Sequence, residues 1–291
     1  MASPTADDIA ETHFEVWTYP RAMRAGAGAL LAASGLSLPL LLVRILIVHD
    51  APVTSPMLLR AAVAFFVLPG LAALLVRRAL RAELEITRDD LLVRVGGQSF
   101  VVSLAQIAAI EPWRVPLPMP GIALRLASSE RFALGIAADD PSRLLRALAA
   151  RGVATAEPQL AHPSLVYAHV KHALGRLGWR RMLLKYPLFG LAVAAVPFQA
   201  QQQIAYGGLL GQYHLEGVWP WLRSALLFWS TVTIFLVAYA TLWRWPAEIL
   251  AWLAARRGEA FAQRARLILE WICRVVYYAG VLLVIALRFS S

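Results

Sequence analysis

From Gly26 to Val48 the chain carries one charged residue, Arg44, and from Met57 to Val76 again only one, Arg60. A helix rises about 1.5 Å per residue, so roughly 20 apolar residues cross the roughly 30 Å hydrocarbon core of a bilayer. The segment between the two runs, HDAPVTSP, is long enough only to turn the chain round. Spans joined in this way form an antiparallel hairpin, 26–48 and 57–76. Three further apolar runs extend the pattern. One covers 182–199 and is entered through GWRRMLLKYP. The next, Trp221 to Trp243, is flanked by Trp219, Trp221, Trp243 and Trp245, as expected where indole rings sit at a membrane–water boundary. The last, Trp271 to Phe289, has Glu270 and Arg274 at its entrance. Of the whole chain 59% is hydrophobic and only 16% charged, against about 25% charged in a soluble domain. The expected fold is therefore a membrane α-helical bundle of five spans, or of four if the segment after Trp271 lies along the surface.

The net charge of +10 raises the question of nucleic acid. Its distribution points elsewhere. Arginines crowd the segments from Arg77 to Lys185 and from Arg244 to Arg266, whereas HDAPVTSP and the stretch from Gln199 to Pro220 contain none. Positive loops stay in the cytoplasm. The N-terminal segment, 1–25, and the long middle segment are then cytoplasmic, and 200–220 is an outer loop within a second hairpin, 182–245. Residues 246–266 are expected as a cytoplasmic or interfacial helix. The acidic start, with Asp7, Asp8, Glu11 and Glu15, does not resemble a cleavable signal, so the first span is expected to stay in place. Arginine outnumbers lysine 26 to 2, a usage that suggests a GC-rich bacterium and hence its inner membrane. The single cysteine, Cys273, supports neither a disulfide nor a zinc cluster.

Between the hairpins the hydrophobic period changes. Leu84 and Ile86 alternate with polar neighbours, as do Leu91, Val93 and Val95 after the turn RDD. Gly96-Gly97 supplies the positive-φ residues of a tight hairpin. Phe100, Val102 and Leu104 make a third set, and Ile122, Leu124, Leu126 and Phe132, Leu134, Ile136 make two more. Alternation of this kind means strands with one buried and one wet face. DDPSRLLRALAARG then reads as a helix with an Asp cap, Pro141 in its first turn and Gly152 as its stop. The expectation is a small cytoplasmic β-barrel or sandwich, 82–152, closed by its C-terminal helix.

LEITRDDLLVRVGG, VVSLAQIAAIE, GIALRL and DPSRLLRAL together resemble the bacterial pleckstrin-homology-like domains that are often tethered to membrane spans. The resemblance covers about residues 82–152. It implies a strand-rich barrel capped by a helix, acting as a scaffold or binding module and not as a catalyst. Relatives that bind phosphoinositides do so through a basic first hairpin; the turns RDD and VGGQS here have no basic cluster.

Several further segments bear on function. WRVPLPMPG, with Trp113 and Met119, reads either as an exposed loop that meets the membrane or the spans, or as a rigid connector between strands. Residues 153–181 read as a linker holding an amphipathic helix from His162 to Arg181. Its polar face, His169, His172, Arg176 and Arg180, suits an anionic membrane surface. His169 and His172 are three apart, but no further ligand stands at metal spacing. Glu270 and Arg274 are expected to pair one turn apart. In the outer loop His214 and Glu216 lack a nucleophile or metal set beside them, and no nucleotide-binding, zinc-protease or serine-hydrolase motif occurs.

Arg44, Arg60, Arg223 and Arg288 lie near the outer ends of the spans, against the usual bias of positive charge. They either snorkel to headgroups or converge on an anionic ligand. The leading expectation is a non-catalytic membrane protein that uses no cofactor. It would present its cytoplasmic module to another membrane or cytoplasmic protein, with the bilayer and not nucleic acid as its other partner. The alternative is a transport or lipid-handling component that holds an anionic ligand on the outer arginines.

Overall fold

The computed structural model describes residues 13–47, 54–128, 132–174 and 184–290. Its contacts divide the chain into two units. A sheet unit comprises Met1–Leu31, Leu71–Arg176 and Ala247–Trp271; a helical unit comprises Ala32–Gly70, Leu177–Pro246 and Ile272–Ser291.

The sheet unit is built on a curled, seven-stranded antiparallel sheet in the order β4-β3-β2-β1-β7-β6-β5. The strands are β1 (His13–Pro20), β2 (Arg81–Ile86), β3 (Asp90–Val95), β4 (Gln98–Ser103), β5 (Ile107–Pro112), β6 (Gly121–Leu126) and β7 (Leu134–Ala137). The five alternating sets of the sequence correspond to β2, β3, β4, β6 and β7. Two strands were not anticipated. The central strand, β1, comes from the segment expected to be a cytoplasmic lead-in, so the sheet is not confined to 82–152. It pairs with β2 (Val16 opposite Ala82) and with β7 (Thr18 opposite Ile136). The second, β5, carries a register shift between Ile107 and Ala109.

Burial explains the central place of β1: Val16, Trp17, Thr18 and Tyr19 are all buried. Val16 faces a core made by Leu84, Ile86, Leu91, Val93, Ile122, Leu124 and Ile136. That core is closed by α4 (Pro141–Ala150) through Leu144, Leu145 and Leu148, as expected for the closing helix. Asp140 caps α4, its carboxylate accepting from the Ser142 N–H at 3.1 Å. On the other face Trp17 and Tyr19 form a second cluster with Trp113, Met119, Ala137 and Ala27.

β1 runs without a linker into α1 (Arg21–Ile47). The chain returns through α2 (Ser55–Ala62), one π-helical turn (Val63–Val67) and α3 (Leu68–Ala79), directly into β2. Trp17 stands opposite Arg81. The first helical pair is thus inserted between two neighbouring antiparallel strands, where a turn would ordinarily lie. After α4 comes α5 (Pro163–Ala173), and then α6 (Phe189–Tyr206), α7 (Gly211–Glu216), α8 (Val218–Ala254) and α9 (Glu259–Ser290). No break occurs at 246 or 266: α8 runs on through Pro246, and α9 joins the expected interfacial helix to the last apolar run.

Among the described residues three helices are long and apolar enough to cross a membrane: Arg21–Ile45, Ser55–Ala79 and Val218–Arg257. Only 22%, 11% and 11% of their most apolar windows are buried, so their apolar side chains face outward, as lipid-contacting surfaces must. Phe65, Leu68 and Leu74 are among those exposed. Inside the helical unit, Leu38, Leu42, Ala62 and Ala238 make one contact core, and Leu236 and Tyr277 another with Tyr186 and Phe189. The Trp245 indole donates to the Gly35 carbonyl at 2.9 Å. A Cβ on Gly35 would lie 2.6 Å from that ring, so glycine permits the close approach.

Candidate functional site

A cleft of about 1080 Å3 in the sheet unit lies beside the β1–α1 junction. Its wall is built around Trp113. The indole lies flat against β6 and β7 because both strands carry glycine there: a Cβ on Gly135 would come within 2.6 Å of the ring, and one on Gly121 within 3.0 Å. The Arg24 guanidinium stacks 3.9 Å from the indole centroid, a cation–π contact, and Tyr19 meets the ring edge-on at 6.3 Å. The backbone N–H of Trp113 donates to Gly121 O at 2.9 Å and closes the loop between β5 and β6. Trp113 and Met119 are 4% and 6% exposed, which does not fit the exposed-loop alternative; the proline-rich segment packs onto the sheet, where its two large apolar groups fill a gap.

Three arginines line this cleft: Arg21 and Arg114, both exposed, and the half-buried Arg24. Glu111, Gln159 and His162 complete its polar lining. His162 accepts from the Ser164 N–H at 3.3 Å as the cap of α5. Burial holds its imidazole below its ordinary pKa, which suits that accepting role. Tyr19 also lines the cleft and is 1% exposed, and its hydroxyl has no hydrogen-bond partner among the described residues. Burial raises its pKa, opposed by the nearby Arg77. The phenol therefore stays protonated and keeps a donor unspent. The site thus offers cations beside a stacked aromatic wall, which together suit an anionic group with apolar flanks.

The expected surface helix is also corrected. In α5, Leu165, Val166, Tyr167, Ala168 and Val170 are buried, against α4 on one side and against Ala251, Ala255 and Ala262 on another. His172 is exposed and His169 half-buried, while Arg176 and Arg180 lie outside the described residues. The Nδ1 of His169 is 3.0 Å from Asp140 Oδ2 and 3.3 Å from Ser142 Oγ; its Nε2 is 3.6 Å from Glu259 Oε1. A nucleophilic triad needs the serine on the nitrogen opposite the aspartate. Here both share Nδ1, and Ser142 donates its proton to Asp140. The arrangement ties α4, α5 and α9 together and activates nothing.

A second network lies beside it. Arg266, 4% exposed, donates to both oxygens of Glu248 at 3.3 and 3.2 Å; Glu248 also accepts from the Tyr167 hydroxyl and stands 3.5 Å from Lys171. Glu270 joins this network, 3.6 Å from Arg266 Nε.

Of the outer arginines, Arg44, Arg60 and Arg223 are exposed; the Arg288 side chain lies outside the described ones. Arg223 lines a groove of about 780 Å3 in the helical unit. Exposure of the three fits snorkelling better than convergence on one buried ligand. His214 and Glu216 are exposed on α7, and no group of His, Cys, Asp and Glu placed to hold a metal occurs among the described residues.

No protein-family model, curated protein or solved structure matches this chain. The functional reading therefore rests on the cleft, the spans and their chemistry.

Proposed function

We propose that this is a non-catalytic protein of the bacterial inner membrane, whose five spans hold a cytoplasmic pleckstrin-homology-like module that binds an acidic segment of a membrane or cytoplasmic protein. The observation that carries the reading is the cleft at the β1–α1 junction, with Arg21, Arg24 and Arg114 around the buried Trp113. Arginine, tryptophan and tyrosine are the side chains that dominate protein interfaces. β1 leads straight into the first candidate span, whose first residues, Arg21 and Arg24, line the cleft. The curled sheet closed by α4 supports the pleckstrin-homology-like assignment. The third and fifth spans, which complete the five, are the helices through 184–206 and 272–290. With arginine-rich ends kept inside, the N-terminus and module are cytoplasmic and the C-terminus outside.

The test is site-directed photo-crosslinking in cells. A photoreactive residue at the exposed Ala133, in the cleft, should give one discrete protein adduct. Charge reversal of Arg21 and Arg114 to Glu should abolish it without altering expression. An adduct pattern identical to that from Ser99, on β4 away from the cleft, would sink the reading. So would adducts with lipid alone.

A further inference from the structure

The groove at Arg223 lies on a different part of the molecule and offers a different chemistry. Most of its wall is apolar, formed by Leu59, Trp219, Leu226 and Leu227. Its polar groups are largely committed to the protein itself. Gln212 is 4% exposed, accepts from Gln202 Nε2 at 3.1 Å and donates to Glu216 at 2.8 Å. The Trp229 indole donates to Pro187 O at 2.8 Å, and the Ser230 hydroxyl donates to Leu227 O at 3.1 Å. Arg223 is the one ionisable residue of the lining, and it has no ion-pair partner among the described residues.

Depth argues for what neutralises it. Arg223 is in the second turn of α8, roughly 7 Å along the helix from Val218 at about 1.5 Å per residue. Trp219 and Trp221 mark that end of the helix as interfacial. The headgroup layer on each side of a bilayer is about 5–7 Å thick. The guanidinium therefore reaches the level of lipid phosphates, while Leu226 and Leu227 lie a turn deeper, beside acyl chains. At about 780 Å3 the groove has the size of a small-molecule site.

We propose that this groove is a binding site for an anionic phospholipid, with the phosphate on Arg223 and one acyl chain along the Leu226–Leu227 wall. It belongs to the helical unit and does not depend on what the cleft of the sheet unit binds. Native mass spectrometry of the full chain, purified with equal amounts of phosphatidylglycerol and phosphatidylcholine of matched chains, tests it. The wild type should retain phosphatidylglycerol with about fivefold preference, the equivalent of ~1 kcal/mol for one arginine at an anionic surface. Arg223→Gln should bring the two lipids to parity, Arg223→Lys should keep most of the preference, and Arg60→Gln, outside the groove, should change nothing. Ser230→Trp, which fills the groove, should reduce retention of both lipids. Parity in the wild type, or a preference that survives Arg223→Gln, overturns the proposal. Removal of the lipid by excess inorganic phosphate does so too, since the site would then hold a free anion without a chain.

Discussion

His169 shows how much a single side chain's meaning depends on what packs around it. In the sequence it forms a polar pair with His172, three residues apart, on a helix suited to a membrane surface. In the fold it faces Asp140, Ser142 and Glu259, with Arg146 close by. The hydrogen bond to Asp140 raises its pKa; burial and Arg146 oppose the shift, while the charges of Asp140 and Glu259 add to it. For Asp140 burial alone would raise the pKa, but hydrogen bonds from His169 and Ser142 bring it below its ordinary value. A histidine whose folded pKa is raised contributes its stability fully below the unfolded value, about 6.5, and loses it as pH rises through the folded value. Asp140 contributes in the opposite sense, above the unfolded carboxylate value of about 3.9, and its share is lost as pH falls through the depressed folded value. His169→Gln should therefore cost about 1 kcal/mol at pH 5.5, a charge-assisted bond discounted for partial exposure. That is a fall of roughly 2 °C in melting temperature, and most of it should vanish at pH 8.5. Thermal melts of the full chain in detergent at the two pH values check this; an equal deficit at both would show that the charge contributes nothing. Trp113 carries a related lesson. Its burial depends on Gly135 and Gly121, which are distant in sequence and adjacent only once β6 and β7 pair.

Strands β2, β3, β4, β6 and β7 could be read from alternation because their large apolar residues, such as Leu84 and Ile86 or Ile122 and Leu124, recur at every second position toward the core. The two missed strands fail that condition for different reasons. In β1 both faces are covered from Val16 to Tyr19, so VWTY is a continuous run of aromatic and β-branched residues without a period. That composition, ending at Pro20, was the available signal. In β5 the register shift between Ile107 and Ala109 puts Ile107 and Ile110 on the buried side three residues apart, which mimics a helical spacing. The structural weight of β1 can be tested at one position. The Thr18 N–H donates to Leu80 O at 2.9 Å, but its buried hydroxyl has no partner among the described residues. Thr18→Val keeps the shape and the backbone bond and removes the orphaned hydroxyl, so it should stabilise the protein by about 1 kcal/mol. Thr18→Pro removes the backbone donor from the middle of the sheet and should destabilise it by roughly 3 kcal/mol or more. Resistance of the sheet unit to limited proteolysis should rise in the first variant and collapse in the second. If both behave alike, β1 is not the strand that holds the sheet together.

For the whole molecule, the insertion of α1–α3 between β1 and β2 constrains topology more strongly than arginine counts alone. Trp17 stands opposite Arg81, so the chain leaves the sheet and returns to it at neighbouring strand ends. Ala27 near the start of α1 and Val76 and Leu80 at the end of α3 pack in one cluster with Trp17 and Tyr19. A chain that enters a bilayer through α1 must then come back through α3, because both ends are fixed to one sheet. The same logic applies further along. The end of α8 and the start of α9 both pack on α5, through Ala251, Ala255 and Ala262. With the sheet unit on one side of a bilayer, as proposed, a chain leaving through α6 would return through α8. In a Cys273→Ser background, Ser99→Cys on β4 should react with a membrane-impermeant maleimide only after the cells are permeabilised. His214→Cys, exposed on α7, should react in intact cells. A C-terminal alkaline phosphatase fusion should be active, since α9 then makes the fifth crossing; an inactive phosphatase with a fluorescent C-terminal green fluorescent protein would leave four. Labelling of Ser99→Cys in intact cells would put the sheet outside, and the arginines at 77–81 and 256–257 would then stand on the side of the membrane that positive loops avoid.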